Sequence, residues 1–210
     1  MKSYRCVATE EAFATPAILA ETQRLVDSGE VERGFGELAK SMFSSGPGAK
    51  QVQARLSDLG AGRLAQMDAD GVDLALIAIF APGVQIFEAS KAAGLTSKAN
   101  DILAEAVRAH PDRYAGLTAV APQDPDHAAR EIERGKALRL KGFLINSHTS
   151  GEYLDQAKFL PIFEAASASD MPLYLHPREP GSAMIEPFLD YGLYFAAGGL
   201  RWSAGFMQCD

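Results

Sequence analysis

Two side chains of types that bind divalent metal ions stand at the ends of predicted strands, far apart in the chain. His176 lies near the end of the short apolar run 171–178, where Pro177 prevents further strand pairing. Glu10 follows the strand-like run 4–9. A carboxylate and an imidazole together suit Zn²⁺ or Mn²⁺. If both strands belong to one parallel sheet, the pair predicts a metal site at the carboxyl ends of its strands.

Each of these residues also has a simpler interpretation. A histidine at a strand end often makes structural hydrogen bonds only, and a glutamate at the position of Glu10 can cap a helix that begins near Pro16. The neighbouring Glu11 is expected to be solvated or ion-paired, because adjacent strand residues face opposite sides. Two ligands do not complete a metal site. The elements that would position them therefore decide between the interpretations.

The composition predicts a globular chain that acts on a small molecule. Of its 210 residues, 47% are hydrophobic and 22% are charged, and the formal net charge is −7. This acidic balance argues against nucleic acid or an anionic membrane as the main partner. The chain shows no apolar signal region and no run of about 18 apolar residues, so we expect a cytoplasmic protein. Cys6 and Cys209 are expected to be free thiols.

Strands and helices alternate along the sequence. Apolar runs predict strands at 72–79, 113–120 and 141–146, in addition to the first and last strands. Helical periodicity and caps predict the helices between them, at 56–69, 89–110, 125–138 and around 159–166, whereas a Gly- and Ser-rich stretch at 44–48 predicts a loop.

This alternation is typical of a doubly wound open sheet or of a closed eight-stranded barrel. The turn after the first strand carries Glu10 and Glu11 where a dinucleotide fold needs glycines, so it would repel a pyrophosphate. A barrel of eight strands takes about 250 residues. Five strands in 210 residues therefore predict an α/β chain with an incomplete barrel.

Several motifs together resemble the decarboxylases of the amidohydrolase superfamily, which include the 2,3-dihydroxybenzoate and γ-resorcylate decarboxylases and relatives of aminocarboxymuconate semialdehyde decarboxylase. The motifs are Thr9-Glu-Glu-Ala-Phe-Ala-Thr-Pro, Arg63-Leu-Ala-Gln-Met-Asp, Gln123-Asp-Pro-Asp, Lys141-Gly-Phe-Leu-Ile-Asn-Ser-His and Tyr174-Leu-His-Pro-Arg. The resemblance covers about residues 4–194, within a single partial domain at 1–210. Residues 195–210 are expected to form a divergent tail.

The resemblance implies a metal-dependent (β/α)8 barrel of the TIM type, here with about five strands. It places Glu10 and His176 on metal-ligand positions for Zn²⁺ or Mn²⁺ at the carboxyl-terminal mouth of the barrel. Ala12 stands where many members carry a second metal-binding residue on the first strand. The implied reaction is the non-oxidative loss of CO₂ from a phenolic acid, in an enzyme that forms homo-oligomers.

Two motifs of the family do not occur after residue 178. One is a histidine in a Gly-His-Met-Gly-like strand, and the other is an aspartate on the last strand that binds metal and supplies a proton. No catalytic residue is therefore assigned, and we expect a truncated chain with weak metal binding and little or no turnover. The alternatives are a hydrolase of a lactone or an amide, and an inactive fragment that acts by associating with another subunit.

Three further polar residues stand near the predicted site. Asn146 ends a strand on the same rim, where it either contacts substrate or satisfies loop backbone. His148 is expected to be a loop histidine. Arg178 is able to bind a carboxylate, although a surface or loop-pinning role is the simpler expectation.

Overall fold

A computed structural model of the chain describes residues 4–44, 46–179 and 191–192. The tail predicted at 195–210 lies outside the described residues. The strands are β1 (Val7–Phe13), β2 (Leu74–Ile79), β3 (Tyr114–Gly116), β4 (Thr118–Ala119), β5 (Phe143–Asn146), β6 (His148–Thr149), β7 (Glu152–Tyr153) and β8 (Leu173–His176). The helices are α1 (Pro16–Ser28), α2 (Arg33–Met42), α3 (Pro47–Ser57), α4 (Ala61–Asp70), α5 (Ala89–Ala109), α6 (Pro125–Ala137) and α7 (Leu160–Ser169), with a 3₁₀ turn at Ala157–Phe159.

The main strands pair in parallel and follow one another in chain order. One sheet has the order β1-β2-β3, and a second has the order β4-β5-β8. The two meet at Leu117, whose N–H donates to the carbonyl of Ile77, while the N–H of Thr118 donates to the carbonyl of Gly142 on the other side. One extended segment therefore joins both sheets. Sequential order without reversal is that of a barrel and not of a doubly wound sheet, so the predicted partial α/β barrel is confirmed.

The first strand differs from its predicted bounds. It begins at Val7 and continues to Phe13, so Glu10 and Glu11 lie within the strand and not after it. The reason is its pairing with the apolar strand β2, which extends as far as Phe13 opposite Ile79. Pairing with a buried neighbour outweighs the low strand propensity of the two glutamates.

The region between the first two strands consists of helices and loops, and the bounds of its helices differ from those predicted. The helix predicted at 56–69 is two helices, because α3 ends at Ser57 and α4 begins at Ala61. Between them the carboxylate of Asp58 accepts a hydrogen bond from the N–H of Gly60 at 2.7 Å. The loop predicted at 44–48 ends early, since Pro47 opens α3 in its first turn. No helix in the described part of the chain is long and apolar enough to cross a membrane.

A buried polar network holds β4 against α5 and α6. The side chain of Asn100 donates to the carbonyl of Ala119 at 2.9 Å and accepts from its N–H at 2.8 Å. The same amide donates to Glu131, which is paired with Arg134 at 2.9 Å. Burial alone would raise the pKa of Glu131, but the hydrogen bonds from Arg134, Asn100 and Ser97 outweigh it and lower that pKa. The network thus anchors the segment that joins the two sheets.

Helix α6 packs closely on β4 at Gly135, which allows a direct test of this packing. A Cβ at Gly135 would overlap Thr118 Oγ1 and lie 3.0 Å from Thr118 Cβ. We expect Gly135→Ala to lower the free energy of unfolding by about 1–3 kcal/mol, measured by urea denaturation. In the control Gly94→Ala on α5, the new Cβ meets nothing within 4 Å, so stability should stay equal or rise by up to about 1 kcal/mol. Equal stability of the two variants would contradict the packing.

Candidate metal centre

Two of the predicted site residues, Asn146 and His176, lie at strand ends on one rim. Asn146 is the last residue of β5 and is directly paired with His176, the last residue of β8. The two sheets together form an arc of strands that begins with β1 and ends with β8. The two ends of the arc face each other across the barrel interior, where the side chain of Glu10 reaches that of His176. The structure therefore brings together the two predicted ligands, which are 166 residues apart in sequence.

A β-bulge in β1 directs Glu10 into this interior. Ala8 pairs with Ala75, whereas Glu11 pairs with Ile77. Three steps along β1 thus match two steps along β2, and the extra residue changes the direction of the nearby side chains. The neighbouring Glu11 forms an ion pair with Arg63 at 3.6 Å, as predicted for a residue that is not a ligand. Sequence reasoning missed the bulge, since no glycine or proline marks it.

The carboxylate of Glu10 is held by two side chains of β8. Its Oε1 lies 3.0 Å from His176 Nε2, and its Oε2 accepts a hydrogen bond of 2.6 Å from the hydroxyl of Tyr174. Tyr174 and His176 share one face of the strand because they are two residues apart. The side chain of His176 is 9% exposed and that of Glu10 is 56% exposed. The carboxylate is therefore accessible from the interior while both of its oxygens have partners.

These contacts determine the charge of the site. The hydrogen bond from Tyr174 lowers the pKa of Glu10, and the nearby His176 lowers it further against the opposing effect of partial burial. The same hydrogen bond is the main cause that raises the pKa of Tyr174 to about 12. At neutral pH the site thus presents an ionised carboxylate beside a protonated phenol. An ionised carboxylate is the form that binds a metal cation.

The distance between the two donor atoms fits a single divalent cation. Two ligands with bonds of about 2.1 Å are about 3.0 Å apart at a right angle and about 3.4 Å apart at the tetrahedral angle. The observed 3.0 Å between Glu10 Oε1 and His176 Nε2 is a hydrogen-bond distance, and it also matches the spacing of two neighbouring metal ligands at a right angle. Within residues 4–44, 46–179 and 191–192, no group of three or more His, Cys, Asp and Glu side chains is placed to hold a metal.

Asn146 is bonded to the loop that follows β2. Its side-chain amide donates to Gln85 Oε1 at 2.7 Å and to the carbonyl of Pro82 at 3.3 Å. Gln85, which is 2% exposed, in turn donates to the carbonyl of His148. By donating to the carbonyl of Pro82, Asn146 satisfies loop backbone, which is one of the two roles predicted for it. The other predicted role, contact with substrate, stays a prediction. Sequence reasoning missed Gln85, because an isolated glutamine in a loop carries no signal of its partner 61 residues away.

A buried ionic cluster fixes the chain just beyond His176. The guanidinium of Arg178 is fully buried and pairs with Glu32 at 2.6 Å and with Glu179. The expected surface position of Arg178 is thus wrong, whereas its loop-pinning role is confirmed. His148 lies in the short strand β6 and not in a loop, and its Nε2 is 2.7 Å from the carbonyl of Glu179. Burial, together with the charge of Arg178, lowers the pKa of His148.

The lowered pKa of His148 predicts a loss of stability in mild acid. At a pH between the lowered pKa of His148 and its ordinary value of about 6.5, the unfolded chain binds more protons than the folded chain. The stabilising contribution of neutral His148 is therefore complete above about pH 6.5 and declines as the pH falls below it. We expect the free energy of unfolding to decrease from about pH 7.5 to about pH 5. Glu10 and Glu131, whose pKa values are also lowered, lose their contributions only at lower pH, near and below about 4.5.

His148→Gln isolates this effect, because glutamine keeps a donor for the carbonyl of Glu179 but does not titrate. The variant should show a flatter stability profile than the unsubstituted chain over the same pH range, measured by urea denaturation at each pH. Parallel profiles for the two proteins would show that His148 is not the group responsible.

Comparison with known proteins identifies one family over most of the chain. A family model described as amidohydrolase matches residues 51–204. A γ-resorcylate decarboxylase from Polaromonas sp. is 38% identical over 138 residues, which cover 62% of this chain and 42% of the relative. The chain spans about half or less of the length of the curated relatives it matches.

Two solved structures that resemble this chain are also decarboxylases of aromatic acids. A 5-carboxyvanillate decarboxylase from Novosphingobium aromaticivorans, with bound manganese and 3-methoxy-4-hydroxy-5-nitrobenzoic acid, superposes with a TM-score of 0.90 at 43% identity, over 97% of this chain and 60% of that one. A dihydroxybenzoic acid decarboxylase from Polaromonas sp., with bound manganese and 2-nitroresorcinol, gives a TM-score of 0.71 at 32% identity, over 90% and 54%.

Proposed function

The chain belongs to the amidohydrolase family, and on this premise we propose that its site serves the non-oxidative decarboxylation of an aromatic acid with a hydroxyl group next to the carboxylate. The observation that carries the proposal is the pair Glu10 Oε1 and His176 Nε2, 3.0 Å apart at the carboxyl-terminal mouth of the barrel. The similar decarboxylases support the substrate class. Their named substrates, 5-carboxyvanillate and dihydroxybenzoic acid, are both phenolic acids.

The reaction breaks the bond between the ring and its carboxylate. The electron pair of that bond stays on the ring carbon, which takes up a proton as CO₂ leaves. A divalent cation bound to Glu10 and His176 would supply a Lewis acid for the carboxylate and the adjacent hydroxyl of the substrate. Glu10 contributes an ionised carboxylate, held by Tyr174. His176 contributes a nitrogen on the rigid end of β8.

Manganese is the metal to test first, since the two solved decarboxylases described above, from Novosphingobium aromaticivorans and Polaromonas sp., contain it. The acid that would protonate the ring carbon is not assigned among the described residues. We therefore retain the expectation that the 210-residue chain binds metal weakly and turns over slowly or not at all. Association into a homo-oligomer, which the family resemblance implies, also remains a prediction.

Substitution of the two neighbouring glutamates tests the metal site. We expect Glu10→Gln to weaken Mn²⁺ binding at least about tenfold, because the amide removes the negative charge that binds the cation. The control is Glu11→Gln, which removes a carboxylate paired with Arg63 and should leave the Mn²⁺ affinity unchanged. The loss of the free Mn²⁺ signal in electron paramagnetic resonance measures both. Equal affinities of the two variants would contradict the assignment of Glu10.

An extended chain tests the reaction itself. Residues 1–179 would be joined to the corresponding C-terminal region of the Novosphingobium decarboxylase. With Mn²⁺, this chimera should release CO₂ from 5-carboxyvanillate, and Glu10→Gln in the chimera should abolish the release. The 210-residue chain should release little or none. A folded, Mn²⁺-loaded chimera that releases no CO₂ but opens a lactone would instead support the hydrolase alternative.

A further inference from the structure

Tyr174 is the residue at the site to which neither the motifs nor the known relatives' names assign a role. Its hydroxyl donates to Glu10 Oε2 at 2.6 Å, whereas His176 lies beside the other oxygen, Oε1. Because Tyr174 and His176 project from the same face of β8, a single rigid strand sets the positions of both contacts. The orientation of the carboxylate about its own axis is thereby determined, with Oε1 directed toward His176.

A carboxylate binds a metal ion with one oxygen or with two. A hydrogen bond to a charged acceptor is among the stronger ones, and 2.6 Å lies in the range typical of such a bond from a hydroxyl. With Oε2 held in this way, Oε1 is the oxygen available beside His176 Nε2. The hydroxyl is the donor of this bond and therefore carries the proton in it. Tyr174 is thus a neutral donor that acts through Glu10.

We propose that Tyr174 is a positioning residue that holds Glu10 as a one-oxygen ligand of the metal, an inference that rests on the function proposed above. Residues that orient metal ligands in this way typically affect metal affinity by about 10- to 100-fold when they are removed. Without the hydroxyl, the carboxylate is free to rotate and to engage the cation through both oxygens. The effect on the site is therefore a change of coordination as well as a loss of affinity.

Tyr174→Phe is the direct test, because it removes the hydroxyl and keeps the ring beside His176, whose centroid lies 6.4 Å away. The matched control is Tyr114→Phe. Tyr114 is also a strand tyrosine and is buried, and its hydroxyl has no hydrogen-bond partner in the part of the chain that the structure describes. We expect Mn²⁺ affinity to fall about 10- to 100-fold in Tyr174→Phe and to stay unchanged in Tyr114→Phe. Circular dichroism without metal checks that both variants are folded.

Infrared spectroscopy supplies a readout that a purely structural role would not change. The separation between the two carboxylate stretching bands is wide for a one-oxygen ligand and narrow for a two-oxygen ligand. In the spectrum with Mn²⁺ minus the spectrum without it, with Mn²⁺ raised until each protein is saturated, the carboxylate bands that are missing in Glu10→Gln belong to Glu10. We expect a wide separation in the unsubstituted chain and a narrower one in Tyr174→Phe. The unsubstituted chain alone is informative, since a narrow separation there would overturn the proposal.

The outcomes separate this proposal from the function on which it rests. If the unsubstituted chain binds no Mn²⁺, or if Glu10→Gln binds it equally well, the metal site and the role of Tyr174 are both wrong. If Glu10→Gln loses binding but Tyr174→Phe matches Tyr114→Phe in affinity and band separation, only the role of Tyr174 is overturned.

Discussion

The carboxylate of Glu10 connects the two ends of the sheet arc, and the site depends on this connection. It joins β1 to Tyr174 and His176 on β8, strands whose contacting residues are 164 and 166 positions apart. Such a contact forms only when every intervening strand is correctly placed. The geometry of the candidate metal centre therefore depends on the order of the strands and on the bulge in β1, as well as on the three side chains themselves.

The polar residues around this connection divide into two groups. Gln85, Asn146 and Arg178 are buried, and they hold the loops beyond the strand ends through the contact between Gln85 and Asn146 and the ion pair of Arg178 with the half-buried Glu32. They cost free energy to desolvate, and the hydrogen bonds and ion pairs that they form offset that cost. The carboxylate of Glu10 is different, because it is 56% exposed. The accessible charge thus lies inside a rim of bonded polar side chains, where a cation and an anionic substrate can both approach.

Local signals in the sequence predicted much of the fold. As predicted, Pro16 begins α1, Gly71 ends α4 and Asp124 caps α6. These signals can be recognised in the sequence because each depends on backbone geometry within a few residues. The extent of β1 was wrong, since pairing with the apolar β2 outweighed the local preference of its glutamates. Tyr174 was missed as a site residue for a similar reason. Its role comes from a partner 164 residues away, and a tyrosine in an apolar run is otherwise typical of a core position.

The position of the metal in crystals of the chain grown with Mn²⁺ tests most directly whether Glu10 and His176 bind it. An anomalous difference map at the manganese absorption edge would locate the ion without reference to activity. The proposed site predicts a peak within about 2.5 Å of both Glu10 Oε1 and His176 Nε2, with Glu10 Oε2 still bonded to the hydroxyl of Tyr174. A manganese peak elsewhere in the ordered crystal, or none near these two atoms, would contradict it.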